Sequence, residues 1–266
     1  MKKRITLLLL TISLASKAQS DFPQNEFIPP LRIPTVFAGT FGELRSNHFH
    51  SGLDIKTQQR TGLDVLASAT GYVSRIKVSH YGYGKALYIT HPNGYTTVYG
   101  HLNAYGPTIE EYVKAKQYEA ESYEVELFPN PDELSVTQGD LVAYSGNTGG
   151  SGGPHVHFEI RDKNERPLNA QLFGIQAPDH RDPLLKDLVV YPLSDSSQVN
   201  QSQKQQRLRF TKQPDGTFLS EKINAYGTIG FALGTVDQQD GANNNNGIYK
   251  IETTLNGEKI LEVEMD

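Results

Sequence analysis

The 266-residue chain contains no cysteine, and that absence excludes a disulfide framework, a thiolate metal site and a lipid-modified cysteine. Any metal site must therefore be built from His, Asp or Glu. Basic excess is missing as well. Lys and Arg number 25 against 30 Asp and Glu, giving a net charge of -5, which leaves no general electrostatic footprint for nucleic acid. Beyond the first twenty residues no run comes near eighteen consecutive apolar positions, so no stable membrane insertion is expected. No internal repeat is visible.

What the chain does have is enough apolar material for a core. It is 37% hydrophobic, with 14 Tyr and 11 Phe, and is long enough for one large or two modest domains. Residues 1–18 open with Lys2, Lys3 and Arg4, continue through an apolar run from Ile5 to Leu14 and end in small residues. That order reads as a secretory signal peptide cleaved after Ala18, which predicts a periplasmic or extracellular protein. Residues 19–36, rich in proline, suit an extended N-terminal arm.

From Phe37 to Ile160 short β-rich runs alternate with Gly, Asn and Pro, the pattern of an antiparallel all-β domain. In "YITHPNGYTTVYG" the Pro-Asn-Gly lies between alternating aromatic and β-branched residues, and Asn and Gly accept the positive φ of a hairpin turn. A Glu/Lys/Ala/Tyr-rich segment within 108–138 breaks the pattern. Its first half suits a helix, and the whole reads as an insertion beside the site in a domain spanning 37–187. Residues 188–266 return to strand-like runs with a polar turn at Asn243 to Asn246. They predict a smaller β-sandwich-like region, and the alternating run at Asp266 suggests that this region is incomplete.

The stretch "GNTGGSGGPHVHFEI" sets His155 and His157 two residues apart. Strand residues i and i+2 share a face, roughly 6.6 Å apart, so both rings would face one groove while Val156 and Phe158 pack behind. Two half-exposed histidines on an ordinary strand would look the same. Upstream, "SNHFHSGLDIKT" places His50 and Asp54 on one side of an extended segment, with Gly52 between them allowing close backbone approach to a ligand. Together His50, Asp54 and His157 supply two imidazole nitrogens and one carboxylate oxygen, the ligand set of a catalytic zinc with an open fourth position. Hydrolysis is the chemistry such a set supports. It also needs a proton acceptor and a donor to the developing oxyanion, for which His155 and His101, in "YGHL", are the candidates. His48 reads as a surface or supporting residue, His91 as part of the hairpin. The glycines before His155 read either as a flexible loop or as a tight turn leaving a low rim over which an extended peptide can lie.

Taken in order, "HFHSGLDI", "TTVYGHL" and "GNTGGSGGPHVHFEI" resemble the three signature blocks of the lysostaphin-like, LytM-type zinc metallopeptidases, over residues 37–172. The resemblance implies an antiparallel β-sheet metallopeptidase domain with its active site in a narrow groove, and cleavage of peptide stems or cross-bridges of bacterial peptidoglycan. It assigns His50, Asp54 and His157 to Zn2+, and His101 and His155 to the water and the tetrahedral intermediate. Two other readings stand beside it: a non-catalytic module that binds the wall or activates its amidases, and a peptidase acting on a peptide outside the wall.

Overall fold

The structure, a computed structural model, describes residues 22–266; the expected signal peptide lies outside the described residues. In chain order the strands are β1 Phe37–Gly39, β2 Leu53–Lys56, β3 Asp64–Leu66, β4 Gly71–Val78, β5 Lys85–Thr90, β6 Thr96–Gly100 and β7 Ala104–Tyr105. After them come helix α1 Pro107–Glu119 and then β8 Val125–Leu127, β9 Ser135–Val136, β10 Leu141–Tyr144, β11 His155–Arg161 and β12 Pro167–Leu168. The larger sheet runs β1-β2-β11-β6-β5-β4-β8, with β12 on β11 and β9 on β4, and β3-β10-β7 form a smaller one. All of these pairings are antiparallel.

Alternation decides which face is core. On β11 Val156, Phe158 and Ile160 are fully buried, and on β2 Leu53 and Ile55 join them in the main cluster. Val65, Tyr105 and Val142 of the smaller sheet belong to the same cluster, so the two sheets share one apolar interior. The odd positions of β11, His155, His157 and Glu159, are left for the opposite face. The β5–β6 hairpin forms where Pro92, Asn93 and Gly94 stand, with Gly94 at φ +87° and His91 N–H donating to the Tyr95 carbonyl at 2.9 Å.

Helix α1 begins with Pro107 in its first turn and buries Ile109 and Val113, one turn apart on the same side. The 108–138 segment was expected beside the site, and here the structure corrects the sequence. Its strands β8 and β9 pair with β4, on the opposite side of the sheet from β2 and β11, because the apolar side chains of Val125 and Leu127 find the main cluster there. The N-terminal arm packs through Phe27, whose ring meets Phe173 edge-on at 5.6 Å.

The remaining strands are smaller units. Leu184–Pro192 pairs with Gln206–Arg207 and Ile229–Val236 in a three-stranded sheet, and Lys250–Leu255 pairs with Glu258–Glu264 as a two-stranded ribbon. A buried cluster of Val190, Val199 and Leu208 belongs to the first of these, and the ribbon adds no residue to it. Among the described residues no helix is long and apolar enough to cross a membrane.

Candidate metal centre

Three adjacent strands of the large sheet build the site. On β11, His157 lies opposite Asp54 of β2 on one side and Gly100 of β6 on the other. His50 enters from the loop just before β2, and His101 follows β6 directly, in the left-handed region at φ 59°. A non-glycine residue held there marks a position constrained by its surroundings.

His50 Nε2, Asp54 Oδ1 and His157 Nδ1 form a nearly equilateral triangle. Its edges are 3.0 Å from His50 to Asp54, 3.0 Å from His157 to Asp54 and 3.1 Å between the two rings. His155 Nε2 lies 3.3 Å from the same Asp54 oxygen. His101 and His155 stand with ring centroids 4.7 Å apart. All five candidates therefore line one cleft of about 380 Å³.

The outer nitrogen of each ring states what the inner one must be. His50 Nδ1 faces the Thr40 carbonyl at 2.8 Å, His155 Nδ1 the Gly153 carbonyl at 2.8 Å and His101 Nδ1 the Thr148 carbonyl at 2.8 Å. His157 Nε2 faces Glu159 Oε1 at 2.8 Å. Carbonyls and carboxylates only accept, so in each case the outer nitrogen carries the proton and the inner nitrogen of a neutral ring is left with a lone pair. Around Asp54 Oδ1 three imidazole lone pairs then converge on a carboxylate oxygen, acceptor against acceptor. A cation is the group that satisfies such a set. Zinc fits it: bonds of about 2.0–2.1 Å in a tetrahedron separate donor atoms by roughly 3.3–3.4 Å, close to the observed edges.

The electrostatics agree. Burial pushes the Asp54 carboxyl up, but the polar contacts with His155, His157 and His50 outweigh it and hold the group well below the carboxylate range, so it is ionised and ready for a cation. Burial pushes His157 down, while the Asp54 and Glu159 carboxylates on either side of the ring raise it on balance to about 9; the space between Nδ1 and Asp54 Oδ1 thus calls for positive charge, a proton or the metal ion that replaces it. Burial lowers His101 to about 4, against the backbone hydrogen bond to Thr148, so that ring is neutral near pH 7.

Glu159, which the sequence reading did not single out, is fully buried behind His157. Burial raises its pKa, yet hydrogen bonds from His157 and Arg161 bring it to about 2. Its Oε1 accepts from Ser51 Oγ at 2.8 Å and from the Tyr83 hydroxyl, and its Oε2 from Arg161 Nε at 2.6 Å. Tyr83 also stacks on His157, centroids 4.7 Å apart and planes at 26°. The signal was legible: Glu159 is two residues beyond His157 on the same face of β11. Arg45, whose Nη2 holds Asp54 Oδ2 at 3.0 Å, had no such signal.

Other expectations have different outcomes. His48 is exposed on the rim of the same cleft and hydrogen-bonded to Asn47 Oδ1 at 2.6 Å, and it is not part of the convergent set. His91 is buried between the Thr70 carbonyl and Thr97 Oγ1, 2.9 Å from each, a structural role. Gly52 was expected to admit a ligand; instead a Cβ there would stand 2.3 Å from the Phe158 carbonyl oxygen, so its purpose is close strand packing. Gly149, at φ +72°, packs against Gly82 and Gly84, whereas Gly152 and Gly153 have open space around them and keep the rim low.

Comparison with known proteins gives a consistent neighbourhood. The profile of Peptidase family M23 matches residues 48–126 and 131–170. Over 136 residues the chain is 32% identical to the DD-carboxypeptidase/endopeptidase Mpg of Neisseria meningitidis serogroup B, covering 51% of this chain and 25% of that protein. It is 28% identical over 138 residues to the cell division protein DipM of Caulobacter vibrioides, covering 52% of this chain and 18% of that one. The chain thus spans about a quarter or less of the length of these relatives. Among solved structures, the catalytic domain of the prophage-encoded M23 protein EnpA from Enterococcus faecalis aligns with a TM-score of 0.41 at 23% identity, over 55% of this chain and 95% of that one.

Proposed function

We propose, from the match of residues 48–126 and 131–170 to the profile of peptidase family M23, that this chain is a secreted zinc metalloendopeptidase that hydrolyses peptide cross-links of bacterial peptidoglycan. The observation that carries the proposal is the convergence of imidazole lone pairs on Asp54 Oδ1, with each outer nitrogen committed to an acceptor. His50, Asp54 and His157 hold the Zn2+. When bound there, zinc supplies Lewis acidity toward a substrate carbonyl and lowers the pKa of water from about 15.7 to about 7.

The chain's own residues do the rest. His155, locked by Gly153, presents Nε2 toward the centre and takes the proton from the attacking water. His101, neutral at pH 7, is the second acceptor on the cleft wall. Whichever ring takes the proton becomes an N–H donor to the charge developing on the substrate oxygen and then returns the proton to the leaving amine. Peptide stems of peptidoglycan are supported as substrate by the DD-carboxypeptidase/endopeptidase activity in the name of Mpg, and the signal-like residues 1–18 support a periplasmic or extracellular location.

The test is the fragment profile, by mass spectrometry, of purified sacculi incubated with the zinc-loaded protein and with its His157→Ala variant. Loss of cross-linked dimers with the wild type alone is the expected result. Unchanged sacculi, together with cleavage of short peptides, would reject the wall assignment and keep the peptidase.

A further inference from the structure

The polar turn at Asn243 to Asn246 and the residues around it are far in sequence from the cleft but dock on the edge of the sheet that carries it. Strand β1 is the edge of the large sheet, and its outer side is covered by side chains from the C-terminal region. Gln239 donates Nε2–H to the Phe37 carbonyl at 2.7 Å and accepts from Phe37 N–H at 3.1 Å, imitating a neighbouring strand while buried. Asn244 adds a bond from Nδ2 to the same carbonyl at 3.2 Å and accepts from Lys56 Nζ. Gly247 N–H donates to Glu43 Oε1 at 2.9 Å and to Thr40 Oγ1 at 3.1 Å.

From Glu43 two short paths reach the metal ligands. Its Oε1 also accepts from Thr40 N–H at 2.7 Å, and the Thr40 carbonyl is the group that orients His50. Its Oε2 meets Arg45 Nη2 at 3.2 Å, and that nitrogen holds Asp54 Oδ2 at 3.0 Å, leaving Oδ1 for the centre. The space is closely bounded at both ends. A Cβ at Gly39 would come 2.4 Å from Arg45 Nη2 and 2.9 Å from Asp54 Oδ2, and one at Gly247 would come 2.8 Å from Glu43 Cγ.

We propose that residues 239–247 are a positioning element of the metal centre, fixing the Asp54 carboxylate through Glu43 and Arg45 and the His50 ring through Thr40. None of these residues touches substrate. They set ligand geometry, as outer partners of metal ligands do elsewhere, where their loss costs about 10- to 100-fold in metal affinity. The inference rests on the reading of His50, Asp54 and His157 as the zinc ligands.

The experiment measures zinc affinity of the full chain by competition with a chromophoric chelator, and the visible spectrum of the cobalt-substituted protein, for wild type, Glu43→Ala, Gly247→Ala and the double variant. Circular dichroism checks that each is folded. Either single change should weaken zinc binding by at least 10-fold and shift the cobalt spectrum, and the double variant should be no worse than the more severe single one, because both act along one path. Glu43→Gln, the milder variant should Glu43→Ala fail to fold, keeps the acceptor for Gly247 and Thr40 but loses the ion pair with Arg45, and should fall between. Lys259→Ala, in the exposed ribbon, should match the wild type. Folded variants with wild-type affinity and spectrum would overturn the inference. A wild type that binds no zinc would overturn the reading beneath it, and shows itself in the unmutated protein.

Discussion

The strands that carry the cleft and those of the C-terminal region use the same antiparallel pairing but are held in place by different forces. On β11 Val156, Phe158 and Ile160 are fully buried in the apolar interior, and His155, His157 and Glu159 between them face the site. On the ribbon Glu258–Glu264 every residue is exposed, and Leu261 keeps 52% of its surface in solvent. Hydrophobic burial orders the first region. The C-terminal region meets it at β1 through side-chain amides and a backbone N–H, with an ion pair leading inward from Glu43 to Arg45 and Asp54. A metal centre can therefore draw rigidity from a core and orientation from a polar junction, and the two contributions are separable by mutation.

The contrast can be broken most completely at a ligand. His157→Ala should abolish zinc binding and peptidase activity together, whereas His155→Ala should keep most of its metal and lose turnover; elemental analysis beside an activity assay reads both. Next in size is the core: Phe158→Ala should destabilise by about 3–5 kcal/mol in chemical denaturation, although Phe158 faces away from the cleft. Behind the centre, Glu159→Gln removes the carboxylate that fixes the His157 ring, and zinc affinity should fall about 10- to 100-fold in a chelator competition. The smallest effect sharpens the comparison from the other side: Leu261→Ala should change stability by no more than about 0.5 kcal/mol and leave zinc binding unaltered. A loss at Leu261 comparable to that at Phe158 would show that the ribbon is covered in solution.

Much of this was legible in the residues themselves. The period of two along "HVHFEIR" separates core from cleft without any coordinates, and the five candidate side chains do converge. The outer partners were harder to read. Glu159 follows from the same period once the strand's facing is known, but the Thr40, Gly153 and Thr148 carbonyls are backbone groups that any residue type could supply. Gln239 reaches Phe37 across two hundred positions, and no local pattern announces that an asparagine-rich turn will dock on a sheet edge. The 108–138 segment went astray for a related reason: its helix was visible, while the edge on which its strands would land depended on where the core offered room.

Strand β11 has one further property. Because side chains alternate strictly, sliding it by one residue against β2 and β6 would turn His155, His157 and Glu159 into the interior and Val156, Phe158 and Ile160 into water. A mispaired chain would lose its core and its chemistry in the same step. Register error in this protein is thus self-silencing: a chain paired one residue out would have neither its apolar interior nor its convergent histidines.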